Sequence, residues 1–180
     1  VQHVNIPRYL LADDGTFPNN ALLPLLVYRK VFNSQDSIDE NLIKEIFESN
    51  GWGNSWKDGV YNYHHYHSTA HEVLAIMKGN ARLQFGGPTG VSVFMEQGDV
   101  VIIPAGVAHK NIGDDNEFVC IGAYPEGLEY DMNYGKDGER PKADEHIKQV
   151  PLPETDPVYG TDGPLIRNWV SQPDQIHDTL

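Results

Sequence analysis

Cysteine is almost absent from the chain: Cys120 is its only one in 180 residues. That excludes an intrachain disulfide and any cysteine-rich zinc site. Cys120 lies in the apolar run 118–123, where a small core residue is expected rather than a nucleophile. Long apolar runs are missing too. The longest nearly unbroken one, 21–28, is interrupted by Pro24 and falls far short of the roughly 20 residues that a membrane-spanning helix needs. Basic residues are scarce, thirteen against twenty-six acidic ones, for a formal charge of −13. Such a surface lacks the Lys and Arg stripes that grip nucleic-acid phosphates, and it disfavours anionic membranes. Neither partner is expected, and the charge is read as serving solubility. Residues 1–11 show no basic cluster leading into an apolar stretch, so no signal peptide is expected and the cytoplasm is the expected compartment. There is no internal repeat and no low-complexity block.

A chain of this length suits one domain with a sizeable core, taken here as 1–180. Turn chemistry at Asp13-Asp14-Gly15 and Pro18-Asn19-Asn20 precedes an extended apolar segment over 22–32. A helix is expected next. Ser37 and Glu40 have the spacing of a capping box, Ile38, Leu42, Ile43, Ile46 and Phe47 recur on one helical face, and Asn50-Gly51 supplies the stop. From Gly59 to Tyr124 short runs rich in Val, Ile, Phe and Tyr alternate with Gly-containing turns. That pattern predicts an antiparallel sandwich or barrel with its core at about 59–124. After it, Pro141, Pro151, Pro153, Pro157 and Pro164 argue against regular structure. Leu152, Val158, Tyr159, Leu165, Ile166 and Trp169 make 125–180 read as an irregular tail that wraps back over the barrel.

Eight histidines are present, and four of them, at 64, 65, 67 and 71, fall in one short window beside Glu72. Side chains two apart on a strand share a face, so His65 and His67 project together with Cα atoms roughly 6.5–7 Å apart. Two imidazoles so placed can converge on one ion. Glu72 has the wrong parity for the same strand and must come from the next one, after a turn at 68–71. His109, which follows the turn Pro104-Ala105-Gly106, would supply a third imidazole from a third strand. Three neutral nitrogens and a carboxylate suit iron(II), manganese(II), nickel(II), zinc(II) or copper(II) rather than calcium or magnesium. Four such ligands leave two positions open on an octahedral ion, as a catalytic site requires. A one-residue slip would turn His64 and Tyr66 inward instead, and a metal-free barrel with a polar cavity is the bland alternative. His71 is expected as an exposed turn residue, the other reading being a group that supports the ligands.

The same parity puts Tyr61 and Tyr63 inward with His65, and Asn111 with His109. The tyrosines would either contact a small ligand or close the barrel end. Arg82 and Gln84 share one face of the strand after Gly79. If inward, Arg82 would pair with a carboxylate substrate; if outward, it is solvated. Trp52 and Trp56, just before the barrel, are expected as core anchors or as a lid.

Gly59, His65, His67, Glu72 and Gly79 satisfy G-x5-H-x-H-x(3,4)-E-x6-G, and Gly98, Pro104, Gly106 and His109 satisfy G-x5-P-x-G-x2-H-x3-N up to its last position, which is Gly113. In both motifs the chain resembles the cupin superfamily. The runs 51–56, 63–72 and 155–160 further resemble a bacterial subgroup called YjlB-like, over nearly the whole chain. The resemblance implies a mainly β, double-stranded β-helix (jelly-roll) fold with one N-terminal helix, one divalent transition metal on the four matching residues, and pairing into a homodimer through an outer sheet. It supplies no reaction, since this fold hosts many. The open coordination positions favour a metalloenzyme of dioxygenase type acting on a small oxygen-rich molecule. A metal-dependent isomerase or epimerase of a sugar or keto acid, and a non-catalytic binding or sensing module, are the alternatives.

Overall fold

Strict alternation of apolar and polar residues holds only in the smaller of two sheets. A computed structural model describes residues 6–33, 38–113 and 117–170. Its strands are β1 (Arg8–Leu11), β2 (Asn20–Tyr28), β3 (Trp52–Asp58), β4 (Glu72–Lys78), β5 (Asn80–Phe85), β6 (Val91–Glu96), β7 (Val100–Ile103), β8 (His109–Asn111) and β9 (Val119–Pro125). One sheet has the order β1-β2-β7-β4-β9-β3 and the other β6-β5-β8. Every pairing is antiparallel.

In β5, Ala81, Leu83 and Phe85 are buried while Asn80 and Arg82 are exposed. The central strands β4 and β7 are instead apolar on both faces, because both are covered. Leu74, Ile76, Val101 and Ile103 pack between the sheets with Leu83, Phe85 and Met95. Val73, Ala75, Val100 and Ile102 pack outward against helix α1 (Glu40–Ser49) and the C-terminal segment, through Ile43, Phe47, Leu165 and Trp169. Burying both faces removes the period-2 signal and leaves a continuous apolar run.

The α1 helix begins at Glu40 with Asp39 as its cap, whose side chain accepts the Asn41 N–H. The expected cap, Ser37, lies outside the described residues. Ile43 and Phe47 are buried as expected, whereas Leu42 is half exposed. Gly51, at a φ of +80°, ends the helix.

Three strands lie outside the expected 59–124 core yet make half of the larger sheet. The segment before Phe32 supplies β1 and β2, both joined to the chain's own sheet with β1 at its edge. Strand β3 carries Gly53 and Asn54, which hide it from a pattern search. Its two tryptophans are anchors: Trp52 is fully buried with its Nε1–H on the Thr155 carbonyl (3.0 Å), and Trp56 reaches inward, as described below.

The tail wraps over the sheet as expected but is not wholly irregular. Lys142–Gln149 forms a second helix, α2, and Ile166–Val170 a π-helical turn. Pro141 stands at the start of α2, where its missing N–H costs nothing, so the prolines bracket this helix rather than forbid it. Trp169 is buried with its Nε1–H on the Pro24 carbonyl (2.9 Å), and the Tyr28 hydroxyl bonds buried Asp156. No helix among the described residues is long and apolar enough to cross a membrane.

One motif glycine shows why its position is restricted. Gly106 has a φ of +94°, and a Cβ there would lie 2.3 Å from the Asn19 carbonyl oxygen. Its N–H donates to the His67 carbonyl at 2.7 Å, so the turn before His109 is tied directly to the segment that carries His67.

Candidate metal centre

The residues between β3 and β4 do not form a regular strand. His65 bridges His109, and Tyr66 bridges Asn133, as isolated antiparallel contacts. Those two bridges suffice to preserve local alternation. His65 and His67 are buried on the inner side, while Tyr66 turns the other way onto Phe17 (ring centroids 6.1 Å). His64 follows Tyr66, half-buried beside Phe17, and desolvation lowers its pKa. Glu72 opens β4 and His109 opens β8, so the ring of candidate ligands draws on three separate segments.

One ring nitrogen each from His65, His67 and His109 lies within 4.8 Å of the others. Glu72 closes the group, with Oε1 3.4 Å from His109 Nε2 and Oε2 3.6 Å from His67 Nε2. All four side chains are buried. Each imidazole is oriented by a backbone carbonyl at its Nδ1: Tyr63 for His65 (3.1 Å), Asp131 for His67 (2.7 Å) and Val107 for His109 (3.1 Å). A carbonyl can only accept, so each neutral ring carries its proton on Nδ1 and turns an unprotonated Nε2 inward. Three lone pairs and a carboxylate then face one point, and that donor set fits a divalent transition metal.

At His65 the electrostatics agree with that protonation. Burial, reinforced by His109, holds the His65 pKa down at about 3. For Glu72, burial opposes ionisation, but His67 and His109 outweigh it and its carboxyl lies well below the usual range. His67 feels the same burial, but Glu72 outweighs it and raises its pKa. The site therefore holds one negative charge that a proton on His67 or a cation can neutralise.

Sequence reasoning missed the residue that holds Glu72. The Tyr124 hydroxyl donates to Glu72 Oε2 at 2.6 Å and accepts the Trp56 Nε1–H at 2.8 Å. Trp56 lies flat against Gly122, where a Cβ would come within 2.3 Å of the indole. Tyr124 sits at the end of β9, which pairs with β4 through Ala123↔Val73 and Gly122↔Leu74. Only that register brings Tyr124 beside Glu72. The loop after β9, the start of the expected tail, contributes as well. Asp131 accepts the Ser68 N–H (2.6 Å) and its own carbonyl orients His67.

These groups form the floor of a cavity of about 190 Å³, with Tyr61, Leu74, Tyr130 and Met132 among its walls. Of the other expected pocket residues, Tyr63 stands behind Tyr61, ring to ring at 4.9 Å. Arg82 is not brought to the cavity. The alternation of β5 buries Leu83 and turns Arg82 outward, over Phe94 and toward Ser92. Asn111 is not there either: its side chain accepts the Gly113 N–H (2.8 Å) in the following turn. His71 is not exposed. It is buried against Trp169 (4.9 Å), and its Nδ1 accepts the Ala105 N–H at 2.8 Å.

Residues 56–121 match the family model of the cupin domain. Over 162 residues the chain is 44% identical to the uncharacterized protein YjlB of Bacillus subtilis (strain 168), covering 90% of this chain and 95% of that one. The chain belongs to the cupin superfamily. Solved structures resemble it more distantly. Acireductone dioxygenase from Bacillus anthracis, with a cadmium ion in its active centre, is 17% identical with a TM-score of 0.41, covering 61% of this chain and 83% of that one. The vicilin from Solanum melongena is 22% identical with a TM-score of 0.38, covering 44% of this chain, which spans 24% of the vicilin's length.

Within this cupin the Trp56–Tyr124–Glu72 chain gives a direct prediction. Tyr124→Phe removes the hydroxyl and leaves the Trp56 N–H and one Glu72 lone pair unpartnered. Metal affinity is expected to fall about 10- to 100-fold, the usual worth of such a support. A chelator-competition titration measures it, and unchanged affinity would show that Glu72 needs no such tether.

Proposed function

We propose that this cupin binds one divalent transition metal, iron in the first instance, on His65, His67, Glu72 and His109, and uses it to oxidise a small oxygen-rich molecule with dioxygen. The observation that carries this reading is the convergence of three Nε2 lone pairs and one carboxylate, each orientation fixed by a second contact. The ion would supply two open positions that substrate oxygens or dioxygen could take. The chain's own residues would exclude bulk water from that point, since all four ligands are buried and the cavity is small.

A second feature favours oxidation over isomerisation. Isomerisation needs an uncommitted base beside the reacting carbon. Among the described residues lining the cavity, Glu72 belongs to the ligand set and Tyr124 is committed to Glu72, which raises its pKa beyond the effect of burial. The other carboxylate, Asp58, is exposed and accepts the Gly59 N–H (2.8 Å).

The test is metal content by mass spectrometry on protein purified without an affinity tag, followed by oxygen uptake of the iron-loaded form with small diols, enediols and keto acids. One metal per chain with substrate-dependent oxygen uptake is the expected result. Metal without oxygen uptake would move the reading to Lewis-acid isomerisation or to a binding module. No metal even after reconstitution would overturn it.

A further inference from the structure

Four tyrosine rings stand at or beside the cavity, arranged as two stacked pairs. Tyr61 lies on Tyr63, with ring centroids 4.9 Å apart and planes 15° from parallel. Tyr130 lies on Tyr124, at 4.7 Å and 22°. Both pairs line the cavity, the first through Tyr61 and the second through Tyr124 and Tyr130. The front ring of each pair also touches a candidate ligand: Tyr61 meets His65 at 5.2 Å, and Tyr130 meets His67 at 4.8 Å. The backing ring fixes the front ring, so little side-chain entropy is left to lose when something lies against it.

These front rings do not seal the barrel end. Tyr61 is 51% exposed and Tyr130 is 42% exposed. Two half-exposed aromatic surfaces lining one cavity are costly to leave in water and are suited to a flat apolar guest. The charges point the same way. Lys57 is the one cation among the described lining residues, and its ammonium is engaged by Glu40 at 3.0 Å on the far side. Arg82, the candidate partner for an anionic substrate, is on the outer face. With a formal charge of −13 on the chain, no lining side chain is placed to pair with a phosphate or dicarboxylate, and only a bound metal would attract one.

We infer that the site takes a planar aromatic compound, uncharged when free, with two adjacent oxygen donors: the ring lies between Tyr61 and Tyr130 and the oxygens point to the imidazoles. This rests on the metal-site reading for the role of the oxygens, but the ring contacts stand on the tyrosine pairs alone.

The test compares two probes of equal size and equal chelating group, benzohydroxamate and cyclohexanecarbohydroxamate. Both are titrated calorimetrically into the full chain, with and without zinc, which cannot turn them over. Zinc uptake is measured first by mass spectrometry. The aromatic probe is expected to bind at least tenfold more tightly than the saturated one. That preference should vanish in Tyr61→Ala/Tyr130→Ala while zinc stoichiometry stays at one. Equal binding of the two probes, or a preference that survives the double substitution, overturns the inference, as does tighter binding of oxalate or a sugar phosphate than of benzohydroxamate. If zinc is not retained, the metal reading fails separately. The ring preference is then read on the metal-free protein, where its presence in wild type and loss in the variant still decide the inference.

Discussion

On the proposed ligand set, the double variant His65→Ala/His67→Ala is expected to take up no metal while remaining folded. Two of the three inward lone pairs disappear, leaving His109 and Glu72, too few ligands to compete with water. Even a supporting partner of a ligand is worth about 10- to 100-fold in affinity, so losing two ligands should cost well over about 100-fold. Folding should survive because neither imidazole holds the sheets together. His65 bridges His109 through backbone groups, with N–H to carbonyl distances of 3.2 and 2.9 Å, and the Gly106 N–H bonds the His67 carbonyl rather than its ring. Two readouts separate the effects. Mass spectrometry should find one metal per wild-type chain and none in the variant. Thermal unfolding should respond to added metal only in wild type, since a ligand at 100 times its Kd stabilises by about 2.7 kcal/mol. A variant that keeps its metal would remove these histidines from the ligand set. A variant that unfolds without metal would show that the rings hold the fold.

The meeting of the four candidate residues was legible in the sequence to the extent that its geometry is local. His65 and His67 stay on one side because two residues span one alternation, and the bridges to His109 and Asn133 maintain it. Glu72 comes from the neighbouring strand because the turn at 68–71 forces it there. The outward-facing and long-range features were not legible. Arg82 is on the strand expected, but which face of β5 meets the other sheet is decided by how Leu83 and Phe85 pack, not by Arg82 itself. Tyr124 supports Glu72 only through the β4–β9 register, and no local pattern encodes a register between strands so far apart in sequence. The helix α2 was hidden because prolines were counted as breakers without regard to position, whereas Pro141 begins it. Strand β3 was hidden because Gly53 and Asn54 interrupt its alternation, although its ladder partners on β9 complete the sheet.

His71 carries the clearest consequence of a long-range contact. Its neighbours Ser68, Thr69 and Ala70 read as an exposed turn, but Trp169 from the far end of the chain covers the ring. Burial pushes its pKa down to about 4, with the Pro151 carbonyl acting weakly in the opposite direction. The accepted Ala105 N–H adds to the case for a neutral ring, because a protonated Nδ1 would have to give up that bond. The sign follows from which state binds the proton. Below about pH 6.5 the unfolded chain protonates His71, whereas the folded chain does not until about pH 4. Stability is therefore lost as pH falls through that window, at up to about 1.4 kcal/mol per pH unit and roughly 3 kcal/mol in all. His65 titrates in the same direction, so the wild-type slope alone cannot identify His71. His71→Gln can, because glutamine can still accept the Ala105 N–H and does not titrate. Urea unfolding from pH 7 to pH 4, with a chelator present so that metal release does not contribute, should give a shallower decline for the variant by one proton. Parallel curves would mean that the ring is protonated in the folded state or reached by water, and that the Trp169 contact does not isolate it.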